Sequence, residues 1–323
     1  MGVESRVVLY AASAKEARDA AAAAFDRIAA LEQVMSDYRE DSEASRLVRE
    51  GAGGPVAISD DLFEAMAASE EVSLATGGAF DVTLAPVVRV WREARGTGVA
   101  PTDEALGAAW DRVGFTSVLI DRRERAGART CALDDEGMGL DFGGIGKGFA
   151  AQRAVDLLTA RGHARCLVAL AGDVVVGDAP LDDEGREMDG WSIEVETGVG
   201  DADKRMLVLR NAAVSTSGDS EQFFELGGVR YAHIIDGRLA RREGTPAREA
   251  QAFAFRRGVT VVSDRGEWAD ALGTALAILG PEWIEAGDEA RLRSLLRRFG
   301  NAWALVEWER EGLVRSAEAG WAR

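Results

Sequence analysis

A chain of 323 residues, 47% hydrophobic and 29% charged, has the composition of a globular protein with room for a substantial core, in one large domain or two modest ones. Its 55 acidic residues against 38 basic ones leave a net charge of -17, which argues against a nucleic-acid partner and is explained by solubility. No run approaches the roughly 18 apolar residues of a membrane span, no basic-then-apolar export signal opens the chain, and Cys131 and Cys166 form neither a metal motif nor a disulfide framework, so both are expected as buried small residues.

Arg6 to Tyr10 reads as a short Val/Leu strand. Ser13 and Glu16 form a capping box opening an Ala-rich helix that runs to about Met35, with Ala20, Ala24, Ile28, Leu31 and Met35 on its core face. The polar loop Ser36 to Ser42 carries one aromatic, Tyr38, which either stacks on a flat ring or sits half-buried as an ordinary loop tyrosine. A helix from about Ser59 to Thr76 is broken by Gly77 and Gly78 ahead of a buried acid, Asp81, and Val87 to Arg95 is a short helix carrying Trp91. A Gly/Pro loop, a helix near Asp103 to Val113, a strand at Ser117 to Ile120 and a charged turn follow.

The chain is organised around residues 138 to 151, where Asp141 precedes Gly143, Gly144, Gly146 and Gly148, with Lys147 inside the run and helix resuming through Leu158. Side-chain-free backbone beside a helix start suits a phosphorylated ligand. A Walker loop is excluded, because Asp141 stands where its first glycine belongs and Gly148 where its hydroxyl belongs. Gly146, Gly148 and Ala151 fit a dinucleotide pattern, but neither a clean Val/Ile-rich strand before it nor an acid at the expected offset supports it. The plain alternative is a tight strand-to-helix turn.

Strands are expected at Cys166 to Leu170 and Val174 to Val176, around Ala171-Gly172-Asp173. An acidic surface excursion from Asp178 to Gly190 precedes further strands at Trp191 to Glu196, Lys204 to Leu209, Ala213 to Ser215, Gln222 to Leu226, Gln251 to Phe255 and Val259 to Val262. On the helix from Trp268 to Leu279, Asp270 and Thr274 share a face while Leu272, Leu276 and Leu279 line another. A helix from Asp288 to Arg298 and a hairpin of Trp303 to Trp308 with Leu313 to Ser316, turning at Glu311-Gly312, close the chain.

Four stretches stand out together: Gly77 to Thr83, Asp141 to Lys147, His233-Ile234-Ile235-Asp236, and Asp270 to Thr274. In this combination and order they resemble the FAD:protein FMN transferase family, also called the ApbE family, over nearly the whole chain. The resemblance implies an α+β fold of mixed sheets with packed helices, the ApbE-like flavin transferase fold, forming one catalytic domain over residues 1 to 323. It implies FAD as substrate, Mg2+ as the metal, and a threonine-containing acceptor flavoprotein as partner, the FMN half passing to the threonine with release of AMP. It places Met1, Tyr38, Ala79, Phe80, Asp81, Asp141, Lys147 and Ile235 on the dinucleotide. The metal falls to the Gly144 carbonyl, Asp270 and Thr274, and activation of the acceptor hydroxyl to His233. The family's members are commonly exported to the cell envelope, whereas the start as given, with no visible signal, would leave the chain cytoplasmic.

The chemistry supports these residue types. Magnesium takes hard oxygen ligands, which a carboxylate, a hydroxyl and a carbonyl supply, and a threonine needs a proton acceptor such as imidazole. Of the two histidines, His163 reads as a surface turn residue, and His233 is either the base or a strand histidine anchored by Asp236. Asp270 could equally serve a helix start, and Asp81 and Asp141 could cap turns. Gly237-Arg238-Leu239-Ala240 replaces the family's frequent Pro-x-Thr-Gly, Ala171 replaces a glycine, and Gly273 stands where some members have a further acidic ligand. An FAD pyrophosphatase, a flavin-binding protein without turnover and a nicotinamide oxidoreductase built on Gly146-x-Gly148 are the competing readings.

Overall fold

The structure, a computed structural model, describes residues 3–122, 129–196, 199, 204–218, 223–226, 228–241, 257–310 and 313–320. The chain forms two compact units, one of residues 1–32, 145–218 and 257–323, the other of residues 33–144 and 219–256. Strand β1 (Ser5–Leu9) and helix α1 (Ala14–Met35) open the first unit, and the last residues of α1 pass into the second. That unit then takes up α2 (Glu43–Glu50), β2 (Val56–Ile58), α3 (Asp60–Ala75), α4 (Ala85–Thr97), α5 (Asp103–Trp110), β3 (Val118–Asp121) and β4 (Arg129–Leu133). The first resumes with α6 (Gly146–Ala160), β5 (Cys166–Leu170), β6 (Asp173–Val176), β7 (Trp191–Val195), β8 (Arg205–Leu209) and β9 (Ala212–Gly218). After β10 (Phe223–Leu226) and β11 (Val229–Ala232) in the second, β12 (Arg257–Ser263), α7 (Gly266–Glu285), α8 (Glu289–Arg298), β13 (Trp303–Arg310) and β14 (Leu313–Ala319) complete the first.

The first unit is built on a seven-stranded antiparallel sheet in the order β1-β5-β6-β9-β12-β13-β14. Every residue of β12 is buried, as its near-continuous apolar run Val259 to Val262 requires. Helices α6 and α7 pack on this sheet. The two cross so closely that a Cβ on Gly148 would lie 2.1 Å from the Gly266 carbonyl oxygen, and one on Gly266 2.2 Å from the Gly148 oxygen. A separate cluster of Leu167, Val176, Val214 and Val262 joins the sheet to the β7–β8 ribbon through Val195 and Leu209.

The second unit has a three-stranded sheet, β2-β4-β3, a hairpin, β10–β11, and a core of Leu84, Val87, Trp91, Leu106, Trp110, Tyr231 and Ile235. Trp91 and Tyr231 meet with ring centroids 4.8 Å apart. Among the described residues, no helix is long and apolar enough to cross a membrane.

Half of the expected capping box forms: Glu16 N–H donates to Ser13 Oγ at 3.2 Å, but the Glu16 carboxylate accepts from the Ala12 amide instead of the Ser13 amide. Among the described residues, one α-helix and three strands lay outside the sequence pattern: α2, β2, β4 and β11. Each is eight residues or fewer and too short to display a period of its own; α2 buries only Ala44 and Leu47, and β4 is held by partners on both edges. Ala171 and Gly172 form the two-residue turn between the paired Leu170 and Asp173. At φ +53° Ala171 occupies a region that favours the glycine it replaces. The expected strand at Gln251 to Phe255 and the turn at Glu311-Gly312 lie outside the described residues.

Both cysteines are free and fully buried, and burial pushes the Cys131 thiol up to about 12 and the Cys166 thiol up to about 11. Thiol reagents at pH 8 are therefore expected to leave the native protein unmodified and to titrate both cysteines once it is denatured, as a colorimetric thiol count will show.

Candidate active site

The four sequence stretches gather into two groups, one in each unit. In the second unit, Gly77 (φ +63°) and Gly78 (φ +84°) end α3 in the left-handed region, with the Gly78 amide returning to the Ser73 carbonyl at 2.8 Å. The chain then enters the single turn Val82–Leu84, which Asp81 caps. Asp81 Oδ1 accepts from the Thr83 amide and hydroxyl at 2.8 and 2.6 Å, and its Oδ2 from the Phe115 amide at 3.0 Å. This carboxylate is thus engaged by the fold itself. Ala79 and Phe80 are 0% and 4% exposed, so the segment offers a ligand main chain rather than side chain.

The His233 segment is fastened directly to this turn. The Gly237 amide donates to the Ala79 carbonyl, and a Cβ on Gly237 would lie 2.3 Å from the Gly78 oxygen, so the turn after Asp236 must be a glycine. Ile235 packs inward against the Trp91 and Tyr231 cluster. Asp236 is buried and grips its neighbour Arg238, accepting from the Arg238 amide at 3.0 Å and from its guanidinium at 2.8 to 3.1 Å. Arg238 is therefore what occupies Asp236. His233 is exposed.

Asp141 joins the same group through its amide, which donates to the Val82 carbonyl at 2.7 Å. Its Oδ1 accepts from the Gly143 amide at 2.7 Å, closing a turn at the head of the glycine run. Its Oδ2 meets Arg92, which also pairs with Asp37 and lies against the ring of Tyr38. Tyr38 is 76% exposed. Gly144 ends this segment of the second unit, and Met1 lies outside the described residues.

In the first unit Lys147 and Asp270 meet at the start of α6. Asp270, five residues into α7, does not serve its own helix start; it caps the other helix, its Oδ2 accepting the Gly148 amide at 2.9 Å. Gln152 of α6 returns the favour by accepting the Gly266 amide at 2.9 Å. Lys147 Nζ stands between two buried carboxylates, 3.2 Å from Asp173 Oδ2 and 3.6 Å from Asp270 Oδ1. The charge of Asp270 is the largest influence on Lys147 and, with Asp173, holds it above the ordinary lysine range against burial, so it stays an ammonium ion. Burial first, and then the charge of Asp270, raises Asp173 well above the usual carboxylate range despite Lys147. Thr274 lies one turn beyond Asp270 and is half-buried.

Asp173 had no place in the sequence pattern beyond its Gly-Asp pair. It faces Ser215 across the β6–β9 register. The Ser215 hydroxyl is near enough to favour the carboxylate, yet Asp173 Oδ1 and Ser215 Oγ are both buried without a completed hydrogen bond. A Cβ on Gly273 would meet Ser217 Oγ at 2.8 Å, so a hydroxyl of β9 fills the space a side chain at 273 would need. Two carboxylates share one ammonium here, and an acceptor oxygen is left over. The donors are all oxygen, a set that fits a hard cation. Among the described residues no three His, Cys, Asp or Glu side chains are grouped to hold a metal, so hydroxyl, main-chain and water oxygens would have to complete the shell.

The close crossing of α6 on α7 carries its own prediction. Gly148→Ala drives a methyl into the Gly266 carbonyl and to 2.7 Å from the Asp270 Cβ. The helices must part, at a cost of about 2–3 kcal/mol. Denaturant unfolding will read this as a lowered midpoint.

This arrangement has clear relatives. The chain matches the ApbE family over residues 1–293. It is 32% identical over 289 residues to the FAD:protein FMN transferase of Treponema pallidum, covering 87% of this chain and 77% of that protein. Against the FAD:protein FMN transferase of Vibrio cholerae it is 31% identical over 262 residues, with 78% and 72% covered. Its fold superposes on a point mutant of the flavin transferase ApbE from Vibrio cholerae with a TM-score of 0.78 at 25% identity, covering 99% of this chain and 94% of that one. The ApbE protein from Thermotoga maritima gives 0.77 at 25% identity, with 98% and 94% covered. The matches in sequence and in fold run across both groups of residues, and the chain is an enzyme of the ApbE family.

Proposed function

We propose that this protein is an FAD:protein FMN transferase that uses magnesium to move FMN from FAD onto a threonine hydroxyl of an acceptor protein, releasing AMP. The observation that carries the reading is the cluster of Lys147 with the buried carboxylates of Asp173 and Asp270 at the start of α6. A pyrophosphate needs fixed positive charge, and an obligate ammonium ion beside a helix N-terminus supplies it.

Asp270 and Thr274, with the free oxygen of Asp173, are the side chains that would hold the magnesium ion. When bound, it neutralises the pyrophosphate oxygens and the charge that develops on the leaving phosphate. Lys147 binds phosphate oxygens, and its two carboxylate neighbours keep it charged while it does so. The exposed ring of Tyr38 stacks on a planar part of FAD, and the main chain of Ala79 to Asp81 and of Ile235 holds the rest. His233 accepts the proton of the threonine hydroxyl. The threonine oxygen then attacks the phosphorus of the FMN half; the bond from that phosphorus to the bridging oxygen breaks, and that oxygen leaves with AMP. The products are a threonine phosphoester of FMN, AMP and one proton.

Incubation with FAD, magnesium and acceptor, followed by chromatography of the flavins and nucleotides, tests this. AMP with flavin on the acceptor is the expected result. AMP with free FMN would mean a pyrophosphatase, and unchanged bound FAD a flavin-binding protein; either defeats the proposal.

A further inference from the structure

Arg92, on α4 of the second unit, belongs to none of the four stretches, yet it touches three residues around the candidate ligand surface. One guanidinium nitrogen is 2.6 Å from Asp37 Oδ2 and another 3.2 Å from Asp141 Oδ2, while its Cζ lies 4.3 Å from the centroid of the Tyr38 ring. Only a planar, forked cation can bridge two carboxylates and rest a flat face on an aromatic ring at once; an ammonium ion makes one of these contacts at a time. Both carboxylates are largely sheltered, with side chains 16% and 14% exposed. Beside them opens a cleft of about 230 Å³ lined by Asp37, Tyr38, Arg49, Arg89 and Gly139. A Cβ on Gly139 would strike the Arg89 guanidinium, so the cleft's floor depends on that glycine.

We infer that Arg92 is a positioning residue for FAD. It fixes the spacing between the Tyr38 ring and the Asp141 turn before the ligand arrives, and it offsets the charge of two carboxylates beside a ligand that is itself anionic. Tyr38 sits on a polar loop and is 76% exposed; a free ring in that position would have to be ordered on binding, at the expense of affinity. The guanidinium covers one ring face and leaves the other open to a planar ligand. This inference rests on FAD being the ligand, as proposed above, and gives Arg92 a role in affinity and none in the transfer step.

The test compares wild type with Arg92→Met, which keeps the apolar stem and loses the fork, and with Arg92→Lys. Arg92→Met is expected to raise the Kd and the KM for FAD about tenfold while kcat at saturating FAD stays within about twofold, and Arg92→Lys to fall between. In a Tyr38→Ala background the same Arg92→Met change should cost much less, because the ring it positions is gone. Without FAD, amide hydrogen exchange at Ser42 and Gly143 should accelerate in Arg92→Met. Unchanged affinity, fully additive losses, or a collapse of kcat at constant KM would overturn the inference. Wild-type protein that binds no FAD would overturn the proposed function and this inference together.

Discussion

His233→Ala is expected to lower flavin transfer by about 10²- to 10⁴-fold, the range for removing a general base, while the Kd for FAD stays within a few-fold. The separation follows from where the residue lies. His233 is exposed, its segment is fastened by the Gly237 amide and by the buried Ile235, and Asp236 is held by Arg238. Replacing the imidazole with a methyl keeps these fastenings and takes away the proton acceptor. Single-turnover transfer and FAD titration of the same preparation check it; lost FAD binding in a folded variant would make His233 a structural or ligand-contacting residue instead.

Asp270→Ala is the second large effect. Asp270 is 2% exposed, caps the Gly148 amide and shares Lys147 with Asp173. Truncation leaves a buried amide and part of a buried ammonium charge unpaired, costing about 1–3 kcal/mol of stability for the lost acceptor alone. The magnesium needed for half-maximal transfer should rise at least about tenfold, since one of two carboxylates is lost from a site that prefers charged oxygens. Asp270→Asn retains an acceptor for Gly148 and should recover much of the stability but not the metal affinity. An unchanged magnesium titration in Asp270→Asn would remove Asp270 from the ligand set.

The reach of sequence reasoning here depends on how local each signal is. The glycine run at 143 to 148, the Gly77-Gly78 break and the i, i+4 pair Asp270 and Thr274 are each local in the chain, so the sequence displays them directly. The α+β fold follows the same logic, since the apolar runs of the second half become strands, most of them in one antiparallel sheet and the others in the β7–β8 and β10–β11 pairs. What escaped is long-range. Arg92 gains its meaning from partners 55 and 49 residues away, and Asp173 from a strand register with Ser215. Asp270 looked like a residue for its own helix and instead caps one 122 residues earlier. The exchange of the chain between two units is equally hidden: one crossing falls inside the continuous helix α1 and another inside the glycine run, between Gly144 and Ile145, so no break in composition marks either.

The most direct measurement is the intact mass of an acceptor protein bearing a single candidate threonine, taken before and after incubation with this enzyme, FAD and magnesium. The expected result is a gain equal to one FMN phosphoester, one AMP for each acceptor modified, and no gain when that threonine is replaced by alanine. An acceptor of unchanged mass, while FAD is consumed to FMN and AMP, would contradict it.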